Sequence, residues 1–181
     1  MKLDINHEIE IPEGVEVKID GGMINVKGAK GEVSRRLVNP KITIKVEGNK
    51  ILISSTKATK REKTMIGTFK AHIKQMLKGA SEGHNYTLKI CSTHFPMTAE
   101  IKNGIFSVKN FLGESIARTT KIKEGVDVKI EGDIITIEST NVEIAGQTAG
   151  AIEQLCRITN RDRRIFQDGI YMTSKQGKEI N

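Results

Sequence analysis

The sequence predicts an α+β protein made of two tandem copies of a small domain, each a mainly antiparallel β-sheet covered by one α-helix. Three observations carry this prediction: an internal repeat, apolar residues that alternate in strand fashion ahead of a helical pattern in each copy, and hairpin-type turn residues between the strands. The repeat is seen where Gly22-Met23-Ile24-Asn25-Val26-Lys27-Gly28-Ala29-Lys30-Gly31-Glu32 is echoed by Gly104-Ile105-Phe106-Ser107-Val108-Lys109-Asn110-Phe111-Leu112-Gly113-Glu114. Val46 to Ile53 is echoed in the same order by Ile130 to Ile137, and Gly67, Ile73 and Gln75 by Gly146, Ile152 and Gln154. The displacement changes by a few residues from pair to pair, as loop insertions in a duplicated domain produce.

In the first copy Val15, Val17 and Ile19 alternate with polar residues, followed by Ile24 and Val26, then Ile42, Ile44 and Val46, then Ile51 and Ile53. A period of two with one apolar face describes half-buried strands. Asp20-Gly21-Gly22 and Gly48-Asn49 supply the positive φ angles of tight hairpins. Thr59-Lys60-Arg61-Glu62 has the form of a capping box, which predicts a helix start. Met65, Ile66, Phe69, Ile73, Met76 and Leu77 then fall on one helical face, with Gly79 placed to end the helix. The second copy runs parallel: Met97, Ala99 and Ile101; Phe106 and Val108; Val126, Val128 and Ile130; Ile135 and Ile137; then a helix from about Asn141, with Ala145, Thr148, Ala149, Ile152, Leu155 and Cys156 inward. Gly79 to Gly83 lacks either periodicity and reads as a linker, giving domains at 1–82 and 83–181.

Composition narrows the function. Lys and Arg outnumber Asp and Glu by 29 to 22, a net charge of +7, which favours a polyanionic partner. Aromatic residues are only 4% and Trp is absent, which argues against base stacking on aromatic platforms and for contact with phosphate and helix shape. The N-terminus has no apolar leader-like run and no stretch is long enough to span a membrane, so a cytoplasmic location and no membrane partner are expected. Cys91 and Cys156 lack a CxxC partner and suit reduced thiols, with Cys156 placed in a core.

No phosphate-binding loop, dinucleotide fingerprint, nucleophile elbow or paired-His motif occurs, so no catalytic residue, metal or cofactor is expected. Cys91 with His94 is the strongest candidate for thiolate or zinc chemistry, but a zinc site needs three or four ligands and neither His72 nor His84 offers a convincing third. The basic residues are more informative. Arg157, Arg161, Arg163 and Arg164, half of the eight arginines, fall within one short segment. Ile165, Phe166, Ile170 and Tyr171 interleave with them and read as anchors that hold the arginines rigidly for phosphate. A second group, Lys57, Lys60, Arg61 and Lys63, continues as Lys70, Lys74 and Lys78 along the first helix; the sequence alone favours a solvated face there.

The run Gln154-Leu155-Cys156-Arg157-Ile158-Thr159-Asn160-Arg161-Asp162-Arg163-Arg164-Ile165-Phe166-Gln167-Asp168-Gly169-Ile170-Tyr171 resembles the C-terminal signature of the ribosomal large-subunit protein six family in its archaeal and eukaryotic form. The resemblance extends to Val26 to Gly31, His94-Phe95-Pro96, Asn110 to Glu114 and Gly146-Gln147, and so covers the chain, including its duplication. The chain departs from the bacterial branch of the family in the Arg163 to Tyr171 stretch.

The resemblance implies a structural constituent of the large ribosomal subunit, present in single copy. Its partners would be large-subunit rRNA, neighbouring ribosomal proteins and, by proximity at the sarcin-ricin loop, translational GTPases. The second domain would make most RNA contacts, through Ser92, His94 and Pro96, Lys109 and Asn110, Gly146 and Gln147, and the segment from Arg157 to Lys175 with Arg161, Arg163 and Arg164. A helix N-terminus near Gly146 would offer free amides to phosphate, with helix-sheet packing as the competing reason for that glycine. The alternative is a stand-alone basic RNA-binding module.

Overall fold

The structure, a computed structural model, describes residues 3–93 and 95–180. The chain divides into two compact units, Met1–Gly83 and His84–Asn181, each with its own apolar core. In the first unit six strands, β1 (Leu3–Glu10), β2 (Glu16–Asp20), β3 (Met23–Gly28), β4 (Gly31–Arg36), β5 (Thr43–Glu47) and β6 (Lys50–Ala58), precede α1 (Lys60–Ser81). The second unit carries β7 (His84–Cys91), β8 (Thr98–Lys102), β9 (Ile105–Lys109), a 3-10 turn at Phe111–Gly113, β10 (Arg118–Lys121), β11 (Asp127–Glu131) and β12 (Ile134–Ser139). After these come α2 (Val142–Leu155), β13 (Gly169–Lys175) and β14 (Lys178–Glu179).

The duplication holds at the level of strand pairing. Order β1-β6-β5 in the first unit corresponds to β7-β12-β11 in the second, and β2-β3-β4 to β8-β9-β10. All pairings are antiparallel. Each unit therefore holds two sheets rather than a single one, and its helix packs on strands from both. The second unit departs from the first in one way that matters for function: β13 pairs along the free edge of β7, so the C-terminal segment becomes part of the sheet.

The alternating residues of the sequence become the cores. Ile24 and Val26 of β3, Ile51 and Ile53 of β6, and Ile66 and Ile73 of α1 are wholly buried in the first unit. Leu88, Phe106, Ile135, Ile137 and Ile152 are their counterparts in the second. Full burial of each such side chain contributes on the order of 1.5–3 kcal/mol, which is what holds sheets this short to one helix. Cys156 is buried as expected, and burial pushes its thiol up to about 11, so it stays protonated.

Two expectations are corrected. Gly79 does not end α1, which runs on through Ser81; Gly83, at φ +82°, takes the left-handed conformation, and its amide and that of Glu82 donate to the Lys78 carbonyl at 3.2 and 2.9 Å. Gly79 and Ala80 are buried and the Ala80 carbonyl accepts from the Lys30 amide at 3.0 Å, so most of the expected linker is packed helix. His84, the residue after that stretch, is buried at the start of β7 opposite Ser139.

At the other end of α1 the capping box forms. The Glu62 carboxylate accepts from the Thr59 amide at 2.8 Å and from the Thr59 hydroxyl, and the Lys41 ammonium donates to it at 3.2 Å. These hydrogen bonds, Thr59's first, hold the Glu62 carboxyl down at about 2. A depressed carboxyl stabilises the fold fully above its unfolded value of about 4.3 and loses that contribution as pH falls through the folded value. Glu62→Gln should therefore melt below the parent at neutral pH, with the gap closing between pH 4 and 2. Melting curves that stay equally separated across that range would contradict the assignment.

Candidate nucleic-acid interface

The expected RNA residues lie at two ends of β7, and the strand register separates them. Gly169 pairs with Cys91 at one end, whereas Lys175 pairs with Tyr86 at the other, about 16 Å away along the strand.

At the Cys91 end the structure brings together Ser92, Pro96, Lys109, Asn110 and the arginine segment. The Asn110 side-chain amide donates to the Pro96 carbonyl at 3.0 Å, tying the loop after β7 to the end of β9. Asn110 itself sits at φ +59°, a conformation Asn tolerates better than most residues. A Cβ added to Gly113 would lie 3.6 Å from the Phe95 ring, so the same loop also rests on the 3-10 turn. Asp168 is wholly buried, and its carboxylate accepts from the Thr93 amide at 2.6 Å. Lys109 reaches Glu100 at 3.0 Å and is half exposed. His94 lies outside the described residues, and with it the Cys91–His94 pairing; among the described residues no three His, Cys, Asp or Glu side chains gather as a metal would require.

A residue that sequence reasoning missed organises this end. Arg118, at the start of β10, sends Nε and Nη2 to the Glu114 carboxylate at 2.8 and 2.6 Å, and its Nη1 donates to the carbonyls of Leu155 and Arg157 at 2.8 and 3.3 Å. Its guanidinium lies 4.4 Å from the centre of the buried Phe111 ring. The last carbonyls of a helix have no partner within it, so Arg118 satisfies the end of α2 and fixes where the arginine segment leaves. The Arg118 hydrogen bonds hold the Glu114 carboxyl below the usual range. The signal available in sequence was a Glu-to-Arg spacing of four residues outside any helix, which no periodicity flags.

Within the segment Arg157, Arg161, Arg163 and Arg164 are all exposed. Arg161 lies 4.9 Å over the Phe166 ring, which orients its cation. Arg164 is already engaged: its guanidinium forks onto Asp162 with Nη2 to Oδ2 at 2.7 Å and Nε to Oδ1 at 3.1 Å, which keeps the Asp162 carboxyl below its ordinary value. Of the four expected anchors Ile170 is buried on β13, and Phe166 and Tyr171 are half buried, the Tyr171 hydroxyl donating to the Gln167 carbonyl at 3.2 Å. Ile165 is the correction. It is 63% exposed, because its stretch is a turn in which the Ile165 and Phe166 amides fold back onto the Asp162 carbonyl.

Gly146, Gln147 and Lys175 form the second group, at the Tyr86 end. The helix N-terminus expected near Gly146 lies one turn earlier. Helix α2 starts at Val142 with Asn141 as its cap, accepting from the Glu143 amide at 3.0 Å, so Gly146 is in the second turn, past the free amides. A Cβ there would lie 3.2 Å from the Tyr86 hydroxyl, which makes close packing on β7 the reason for glycine. The Gln147 side-chain oxygen accepts from the Lys123 ammonium. Lys175 is exposed at the end of β13.

The ribosomal protein L6 family model matches this chain twice, over residues 11–83 and 96–169, one match in each unit. The chain belongs to the ribosomal protein L6 family. The large ribosomal subunit protein uL6 of Methanococcus vannielii is 45% identical over 176 residues, covering 97% of each chain. The proteins of the same name from Methanobrevibacter smithii and Methanocella arvoryzae are 44% and 43% identical, over 95% and 93% of this chain and 97% and 96% of their own. The second family match ends at Gly169, where β13 begins, whereas these archaeal relatives align across nearly the whole chain.

Proposed function

We propose that this chain is a structural, non-catalytic constituent of the large ribosomal subunit, held in single copy in the cytoplasmic ribosome. Its second unit binds large-subunit rRNA near the sarcin-ricin loop, beside neighbouring ribosomal proteins and where translational GTPases dock. Family membership supports the ribosomal part of the reading. One observation supports the choice of surface: the exposed arginine segment is tied down at both ends, at its root by Arg118 and at its far end by Asp168 and the pairing of β13 with β7. Cations presented by a fixed scaffold lose little entropy on meeting phosphate, and guanidinium forks match phosphate oxygens in pairs.

Ser92, Pro96, Lys109 and Asn110 extend that surface, with His94 between them in sequence; Gly146, Gln147 and Lys175 would form a second, separate contact. Changing Arg161, Arg163 and Arg164 together to Ala should cut incorporation into large subunits at least several-fold, while the isolated protein keeps its melting temperature, since all three side chains are exposed. Unchanged incorporation would count against the surface. A free pool of the parent protein that binds unrelated duplexes and does not sediment with large subunits in moderate salt would instead favour a stand-alone module.

A further inference from the structure

The outer side of α1 carries five lysines, of which only Lys78 meets a carboxylate among the described residues. Lys60, Lys63, Lys70, Lys74 and Lys78 fall within about 80° of arc on a helix of 3.6 residues per turn, and all but the half-buried Lys70 are exposed. Apart from Lys78, which suits the last turn, their positions work against the helix. Lys60, Arg61 and Lys63 stand in or beside the first turn, where the helix dipole disfavours positive charge. Lys70, Lys74 and Lys78 repeat at four residues, the spacing at which like charges repel. The one carboxylate of this helix, Glu62, is turned inward to the cap and Lys41.

Gly67 lies in the middle of the stripe. It is exposed, and a Cβ built there would meet nothing within 4 Å. A glycine inside a helix costs stability, and its counterpart Gly146 has the Tyr86 hydroxyl as a reason; nothing among the described residues lies close enough to explain Gly67. The duplicated helix α2 has no Lys or Arg at all and carries Glu143 and Glu153, so the stripe is not something the fold requires.

We infer that the outer face of α1, along Lys60, Lys63, Gly67, Lys70 and Lys74, is a further docking surface, in the first unit, and that its partner is the sugar-phosphate backbone of double-helical RNA. Lysines neutralise phosphate as point charges without reading bases, and the gap at Gly67 lets a backbone approach the helix closely. The same face offers no large exposed apolar side chain among the described residues, so it lacks the anchors that protein interfaces are built around. The surface ends toward the helix C-terminus, where Lys74 and Lys78 line one cleft with Glu8, Glu10 and Glu82 and Lys78 meets Glu82 at 3.8 Å. This goes beyond the proposed function, which concerns the second unit, and rests on it only for RNA as the partner.

The test uses the full chain and a mixed-sequence RNA duplex of about 20 base pairs, titrated over a range of salt. With K60Q, K63Q, K70Q and K74Q combined, the slope of log affinity against log salt should become shallower by roughly 3 to 4, at about 0.9 per phosphate neutralised on a duplex, while the melting temperature holds or rises. Gly67→Gln should melt higher than the parent and yet bind the duplex more weakly. An unchanged slope in the quadruple variant overturns the inference; if the triple arginine variant still fails to enter subunits, the function of the second unit survives. Polyglutamate that binds the parent as tightly as the duplex, and releases in the quadruple variant, would assign the stripe to an acidic protein and overturn it equally.

Discussion

Gly28→Ala is expected to unfold the first unit well before the second. Gly28 ends β3 at the turn into β4, and a Cβ built there would lie 2.4 Å from the carbonyl oxygen of Ala80 and 2.8 Å from its carbon. Both are backbone atoms of α1 and cannot swing aside as a side-chain tip would. The close approach has a purpose. The Ala80 carbonyl is among the last of the helix and has no partner within it, and the Lys30 amide two residues past Gly28 supplies one at 3.0 Å. An alanine must push the turn from the helix end, losing that hydrogen bond and loosening the packing of α1 on β3. Overpacking of this kind costs about 1–3 kcal/mol, and a helix-end carbonyl left without a partner on the order of 1 kcal/mol more. Hydrogen exchange should show protection lost across β3 and α1 and kept in β12 and α2. Equal loss in both units, or none, would contradict this account.

How much of this was readable in the sequence depended on whether a residue's partner was near in the chain. Ile24 with Val26, Ile51 with Ile53 and the inward face of α1 announced themselves, because burial on one face imposes a period that survives any loop length. Strand β4 did not: only Val33 of its six residues is buried, and one inward residue makes no period. Strand β1 carried alternation at Ile5 and Ile9, yet pairing with β6, some forty residues on, gives it meaning. The candidate site follows the same division. The arginine segment was legible as composition, but Arg118 and Asp168 were not, since their partners, the Leu155 carbonyl and the Thr93 amide, are backbone groups distant in sequence. Ile165 is exposed against expectation because an apolar residue amid arginines has the pattern of an anchor, whereas its burial is decided by the local turn.

Arg118→Met should destabilise the second unit by about 2–4 kcal/mol and weaken RNA binding through residues it does not itself replace. Methionine keeps the apolar stem against Phe111 but removes every donor. Glu114 then loses a two-pronged partner, and the carbonyls of Leu155 and Arg157 lose their cation. Hydrogen bonds to charged groups contribute about 1.5–3 kcal/mol each when well made, discounted here because the Arg118 side chain is 28% exposed. Arg118→Lys should recover little of this, because an ammonium cannot fork onto a carboxylate and reach two carbonyls from the same plane. Acid should narrow the gap: Glu114 is held below its ordinary range, so the pair's contribution is complete above pH 5 or so and fades as pH falls through the depressed value. The functional consequence is separable from the loss of stability. With Arg118 gone, the root of the arginine segment is free to move, and Arg157, Arg161 and Arg163 must be ordered at the moment of binding. At a temperature where Arg118→Met is still wholly folded, its incorporation into large subunits should fall toward that of the triple arginine variant. Incorporation equal to the parent at that temperature would mean that Arg118 holds the unit together without setting the posture of its arginines.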